Sequence, residues 1–224
     1  DKFSIFWKRI FNEIQLIGIN SIFIVALMST FMGAVIALQT ASNIDNPLLP
    51  DYTVGYITQS STILEFSPTI ISLILAGKVG SNVASEIGTM RVTEQIDALE
   101  VMGVNSLNYL VFPKLVALLL YPFLIGISMF IGISGGYIAA VYGGFGTEAD
   151  FVSGLQQKFI PFHIAYAFIK TFIFGLILAT IPSFHGYYMK GGALEVGKAS
   201  TVSFVWASVS IIAVNYILTQ LLLT

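Results

Sequence analysis

Four stretches of this chain, residues 14–44, 115–147, 171–189 and 199–224, contain no Asp, Glu, Lys or Arg. A helix needs about 20 apolar residues to cross the hydrocarbon core of a bilayer, so each stretch can cross once. A fifth apolar run, residues 52–77, is interrupted only by Glu65. The pattern predicts spans near 21–41, 54–77, 115–141, 161–182 and 201–223, with Pro68 inside the second and Lys170 inside the fourth. Proline within a span removes a backbone donor and tends to kink the helix. Ahead of the first span, Phe3, Phe6, Trp7, Ile10, Ile14 and Ile17 recur at helical spacing, while Lys2, Lys8, Arg9 and Glu13 take other positions. This is the pattern of an interfacial helix over residues 1–18, lying in the headgroup layer; the alternative is a plain extension of the first span. The connections are a turn-rich acidic segment (Asp45, Pro47, Pro50, Asp51), the long polar stretch 78–114, a second acidic segment at 147–158, and a loop at 187–198.

Composition agrees with an integral membrane protein. Hydrophobic residues make up 56% of the chain and charged residues 10%, against about 25% charged in ordinary soluble domains; mean hydropathy is +0.86. Five spans account for about half of 224 residues, leaving only loops and short helices, so a single transmembrane domain over 1–224 is expected. No basic run points to nucleic acid, and the absence of cysteine removes disulfides and thiolate sites. The first apolar block is too long for a signal peptide.

Five crossings put the two ends on opposite sides. With the N-terminus cytoplasmic, Lys2, Lys8, Arg9, Lys78, Arg91, Lys114, Lys190 and Lys198 lie inside and only Lys158 lies outside. The positive-inside rule therefore orients the N-terminus to the cytoplasm and the C-terminus to the far side. Segment 78–114 becomes the main cytoplasmic loop. In the third span Ser128, Gly132, Gly136, Ala140 and Gly144 recur every four residues. Such a stripe lets another helix backbone approach closely, either within the chain or from a second copy.

Residues 93–103 predict a short amphipathic helix. Val92, Ile96, Leu99 and Gly103 fall on one side and Glu94, Asp97 and Glu100 on the other. Thr89 or Thr93 suits its cap and Gly103 its stop. An acidic face on a membrane loop points to a protein partner rather than to anionic lipid; an ordinary solvated loop helix fits the periodicity equally well.

The wording of this region is more specific than its periodicity. The runs Ala76-Gly77-Lys78-Val79-Gly80-Ser81 and Glu86-Ile87-Gly88-Thr89-Met90-Arg91-Val92-Thr93-Glu94-Gln95-Ile96-Asp97-Ala98-Leu99-Glu100-Val101-Met102-Gly103 closely resemble the MlaE/YrbE family. These are permease subunits of lipid-transporting ABC systems in bacterial envelopes, with chloroplast relatives. The similarity extends through Leu64-Glu65-Phe66-Ser67-Pro68 and Phe112-Pro113-Lys114 into the Gly-rich third span. The resemblance implies a homodimeric permease in the bacterial inner membrane, bound to a cytoplasmic ABC ATPase and to a periplasmic MCE-domain protein. It would move phospholipid or a related lipid. It further implies that segment 86–103 is the coupling helix, with Glu86, Thr89, Arg91, Glu94, Asp97 and Glu100 facing the ATPase. Family members often carry Arg directly before the span-two glutamate, where this chain has Leu64, so no role of that arginine transfers.

Glu65 and Lys170 are the formal charges well inside the predicted spans. An intramembrane charge costs at least about 2.5–3.5 kcal/mol on insertion scales and is seldom idle. Eleven residues from Val54 to Glu65 and nine from Pro161 to Lys170, at about 1.5 Å rise each, place both at similar depth. They are expected to pair, either gating a cavity or only neutralising one another. Candidate lipid-cavity residues are Ile36, Leu38, Gln39, Tyr56 and Ile57 at the outer ends of the first two spans, with Tyr216 and Leu218 on the fifth.

Gly77-Lys78 is followed by Val79 rather than completing a phosphate-binding loop. ATP and Mg would thus be bound by the partner ATPase, and this chain is expected to be a non-catalytic subunit without a cofactor. His163 and His185 lie near opposite faces of the membrane and cannot share a metal. The fold expected is an all-α integral membrane protein of five transmembrane helices, an N-terminal interfacial helix and a cytoplasmic coupling helix. A stand-alone secondary transporter or channel would show more polar spans and a repeated half; a non-transporting membrane scaffold subunit is the other alternative.

Overall fold

The computed structural model describes residues 2–44, 50, 52–157 and 159–223. The acidic connection carrying Asp45, Pro47 and Asp51, and Lys158 of the second acidic segment, lie outside these residues. The described residues form helices and no strands. Five of the helices are long and apolar enough to cross a membrane: Phe6–Asn43, Thr53–Val92, Ser106–Tyr142, Pro161–Tyr187 and Ala193–Leu222, the first to fifth spans below.

The helices run further than the apolar pattern predicts. No loop separates the N-terminal segment from the first span. Lys2–Glu13 passes through a π-helical turn, Ile14–Ile19, directly into Asn20–Asn43. Glu13 and Asn20, which bound that turn, both keep right-handed helical dihedrals, and no proline interrupts the run. The second span continues beyond Gly77 to Val92 because Val79, Val83, Ala84 and Ile87 supply a buried helical face across a segment that also carries Lys78, Asn82, Glu86 and Arg91. The polar stretch 78–114 thus contracts to a short connection. Its loop helix covers Gln95–Val101, not 93–103, because Glu94 sits in the left-handed region (φ 57°) and breaks the helix there. The third span starts at Ser106, where the Asn105 side chain accepts from the Asn108 N–H at 3.0 Å as an N-cap.

The acidic segment after the third span is helical. Glu148–Gln157 opens on a reciprocal cap: the Asp150 N–H donates to Thr147 Oγ1, and the Thr147 N–H donates to Asp150 Oδ2, each at 3.2 Å.

The described residues gather into two compact units. One holds Ile22–Ile71 and Phe123–Lys170. Its core brings together Ala37, Val54, Ala140 and Phe151, with Tyr137 edge-on to Phe151. The small-residue stripe of the third span is used inside this unit. A Cβ on Gly33 would stand 1.8 Å from the Gly132 carbonyl oxygen, and one on Gly135 would stand 2.4 Å from that of Thr30. First and third spans therefore meet backbone to backbone, the close approach on which helix association in lipid depends. Buried hydroxyls bind across the same seam: Ser29 and Ser128 share a hydrogen bond at 2.7 Å, and Ser128 reaches Ser67 at 3.1 Å.

The other unit comprises the chain up to Ser21, Ser72–Pro122 and everything from Thr171 onward, including the whole fifth span. Here the fifth span packs along Ser81–Val92, with Ser200 donating to the Ser81 carbonyl at 3.2 Å. Gly186 of the fourth span lies where a Cβ would meet the Ala84 carbonyl at 2.7 Å. Arg9 stacks 3.6 Å above the Tyr109 ring and donates to the Tyr109 carbonyl at 2.8 Å. That double contact ties the N-terminal helix to the start of the third span.

Candidate functional site

In the first unit the second span is not a regular α-helix. Thr62–Ile70 winds as a π-type turn with Pro68 inside it; such i→i+5 segments are rare and often occur at functional sites. Proline has no N–H to return to an upstream carbonyl, so the turn lacks one backbone donor. Lys170 brings a side-chain donor to this turn: its Nζ lies 3.0 Å from the Leu64 carbonyl oxygen and 2.8 Å from Glu65 Oε1. Thr69 donates to the second carboxylate oxygen at 3.0 Å, and the ammonium sits 4.8 Å from the centre of the Tyr166 ring. The Lys170 side chain is fully buried, whereas Glu65 is 41% exposed. The charge thus sits within a set of acceptors that the Thr62–Ile70 turn presents.

Alongside this turn lies an open cavity of about 500 Å³. Its apolar lining is Ile36, Ile44, Ile57 and Phe66, and its polar lining Gln39, Thr40, Asn43, Thr53 and Ser61. Of the seven lipid-cavity candidates, Ile36, Gln39 and Ile57 line it. Leu38 and Tyr56 are not among its lining residues. Tyr216 and Leu218 belong to the other unit, with Tyr216 70% exposed. Thr40, Asn43, Thr53 and Ser61 went unnoticed in sequence because polar residues near span ends are common and carry no periodic signal.

In the second unit the segment 86–103 carries the coupling candidates. Asp97 accepts from Arg91 at 2.8 Å. Glu100 accepts from Ser106 at 2.9 Å and from Tyr187 at 3.0 Å. These hydroxyl donors, Ser106 first, and the positive charge of Arg91 hold the Glu100 carboxyl below its ordinary range. Thr89 and Glu94 are exposed, and Ile96 anchors the loop helix in the core at full burial. Glu86 faces inward to an ion pair: Lys114 Nζ lies 2.6 Å from Glu86 Oε2 and 2.7 Å from Glu13 Oε1. Lys114 is 1% exposed, so three segments distant in sequence converge on one buried ammonium. Val101 and Met102 are 89% and 67% exposed at the end of the loop helix. The acidic face is visible in the helical periodicity of the sequence, whereas this apolar tip carries no periodic signal.

These features define a five-helix integral membrane protein whose polar groups are clasped in pairs within the spans, without a nucleotide-binding loop of its own. Residues 10–221 match the family described as Permease MlaE, and the chain belongs to that family. A Rickettsia bellii protein named probable ABC transporter permease protein is 35% identical over 97% of this chain and 84% of its own length. Protein TRIGALACTOSYLDIACYLGLYCEROL 1, chloroplastic, of Arabidopsis thaliana is 30% identical over 98% of this chain and 63% of its own length. The intermembrane phospholipid transport system permease protein MlaE of Haemophilus influenzae is 29% identical over 94% of this chain and 81% of its own length. The chain is therefore a membrane permease subunit, a non-catalytic component of its system.

Proposed function

We propose that this permease moves phospholipid, or a lipid of similar shape, between the inner membrane and a periplasmic MCE-domain carrier. It would act as a homodimer driven by a separate cytoplasmic ABC ATPase that binds ATP and Mg. The observation that carries the reading is the cavity beside the Glu65 turn. Its lining combines aliphatic and aromatic side chains with amides and hydroxyls, the two chemistries that an amphiphile presents. The relatives' names add support, one of them being a phospholipid transport permease.

The loop helix with its flanking residues is the proposed contact for the ATPase, with the N-terminus cytoplasmic and the C-terminus periplasmic, a reading that the distribution of lysine and arginine supports. Exposed Glu94 and Asp97 would steer a basic groove, and Val101 with Met102 would fill it; buried apolar anchors inside a charged rim are the usual anatomy of such contacts. The N-terminal helix presents Trp7 and Phe11 outward, a face suited to the headgroup layer.

The test is lipid transfer by the chain reconstituted together with its ATPase and MCE-domain protein, read by labelled phospholipid with ATP or ADP present. Nucleotide-dependent transfer that falls when Ile36→Trp fills the cavity, with ATPase binding intact, supports the reading. Transfer that needs no nucleotide, or copurified material free of lipid, overturns it.

A further inference from the structure

We propose a second lipid site: a groove between the fourth and fifth spans that holds one resident membrane phospholipid by its anionic headgroup. It is separate from the cavity beside Glu65 and does not depend on the transport reading.

The groove is amphiphilic along its length. One end is a cavity of about 530 Å³ whose lining includes His185, Lys190, Glu195 and Lys198. A second, adjoining cavity of about 320 Å³ shares Phe184 and His185 with the first and continues along Ile181 and Trp206. The polar end therefore leads directly into an aromatic and aliphatic trough. Trp206 and Phe184 are 55% and 59% exposed there. Aromatic rings beside lysines mark the depth of the headgroup region, and basic pockets between membrane helices suit lipid phosphates.

The charges decide the ligand. Lys190 makes no ion pair or hydrogen bond among the described residues. Lys198 is held by Glu195 at 2.6 Å, both partly exposed. With His185 neutral, the lining carries two ammonium groups against one carboxylate, an excess of one positive charge. A headgroup phosphate would take Lys190 outright and compete with Glu195 for Lys198. A second copy of this chain is a poorer occupant, because a twofold contact sets the same patch against itself and leaves its excess charge facing its own kind.

The experiment is native mass spectrometry of the full chain in its complex, titrated separately with phosphatidylglycerol, phosphatidylcholine and inorganic phosphate. Each lysine near a membrane surface is worth about fivefold in affinity for an anionic lipid. Lys190→Gln should therefore weaken phosphatidylglycerol binding about fivefold, and Lys190→Gln with Lys198→Gln roughly twenty-fold, with phosphatidylcholine little changed. Glu195→Gln should do the reverse and tighten phosphatidylglycerol, since it releases Lys198; a merely structural ion pair would not produce that gain. Equal binding of the two lipids, inorganic phosphate bound as tightly as lipid, or a crosslink from Trp206→Cys to a second copy of the chain would overturn the proposal.

Discussion

Replacing Lys114 with methionine tests how the second unit is held together. The ammonium is buried and touches two carboxylates that differ in surroundings: the Glu13 side chain is 17% exposed and that of Glu86 is 43% exposed. Methionine keeps the length and removes the charge. Glu86 is left with much of its hydration, so its loss of partner costs no more than the 0–1 kcal/mol of an exposed ion pair. Glu13 is left mostly desolvated, and its second oxygen already has no partner among the described residues. Breaking a buried pair from one side typically costs about 3–5 kcal/mol, because an uncompensated charge remains. Nearly the whole penalty should therefore come from Glu13.

The assay is reversible unfolding in mixed detergent, followed by helicity, for Lys114→Met, Glu13→Gln, Glu86→Gln and the pair Glu13→Gln with Lys114→Met. Lys114→Met should lose about 3–5 kcal/mol. Glu86→Gln should lose less than about 1 kcal/mol. The double variant should recover most of the loss, since removing both ends of a buried pair is often nearly neutral. Should Glu86→Gln cost as much as Lys114→Met, or should the double variant be no better than the single, the assignment of the penalty to desolvated Glu13 is refuted.

Glu65→Gln should weaken the intramembrane pair less than Lys170→Met, since Lys170 retains the Leu64 carbonyl while its removal takes a donor from both acceptors. Comparing these two and the double variant for assembly and for transport separates a gate, in which assembly survives and transport fails, from simple neutralisation, in which the double variant restores both. Ser106→Ala should move the Glu100 carboxyl up toward its ordinary value of about 4.3, seen by side-chain NMR titration; an unchanged midpoint refutes the role of the hydroxyl donors. Because the folded state lowers this group, its contribution to stability is full above the ordinary glutamate range. It is lost only as pH falls through the lowered value, so protease resistance of the 93–105 connection should be flat from about pH 7 to 5 and fall below about 4. Gly33→Leu should prevent folding or cost more than the 1–3 kcal/mol of ordinary overpacking, because its Cβ alone would overlap the Gly132 carbonyl; wild-type stability would disprove the backbone contact.

The five spans are legible in the chain because lipid imposes a simple demand, about 20 residues without charge, that no tertiary detail can override. Glu65 and Lys170 stand out for the same reason, as lone charges at matching depth in neutral helices, and the structure places their atoms 2.8 Å apart. The continuation of the second span to Val92 is harder to see. Its buried residues are interleaved with Lys78, Asn82 and Glu86, and a helix leaving the apolar layer loses the compositional contrast that marked it. Glu13, Glu86 and Lys114 belong to three segments that each read as polar surface; only their convergence makes an ion-paired triad around a buried lysine, and one sequence contains no trace of that. The helix Glu148–Gln157 did leave a sign in Thr147 and Asp150 at capping spacing, masked by the acidic, turn-like composition around it.

Pro68 links the two intramembrane observations physically. A membrane helix cannot leave backbone groups unpaired in hydrocarbon without a cost of several kcal/mol, and a proline removes one backbone donor from the second span. Lys170 brings a donor to the Leu64 carbonyl and with it a charge, which requires an anion, and Glu65 is the residue immediately after that carbonyl. The lysine and the glutamate thus meet on the turn that holds the proline, rather than standing as unrelated polar intrusions. Any motion that unwinds or tightens the Thr62–Ile70 turn must change the partners of all three together. That makes this turn, which also contributes Phe66 to the cavity wall, the place in the first unit where a change in helix geometry and a change in cavity shape are the same event.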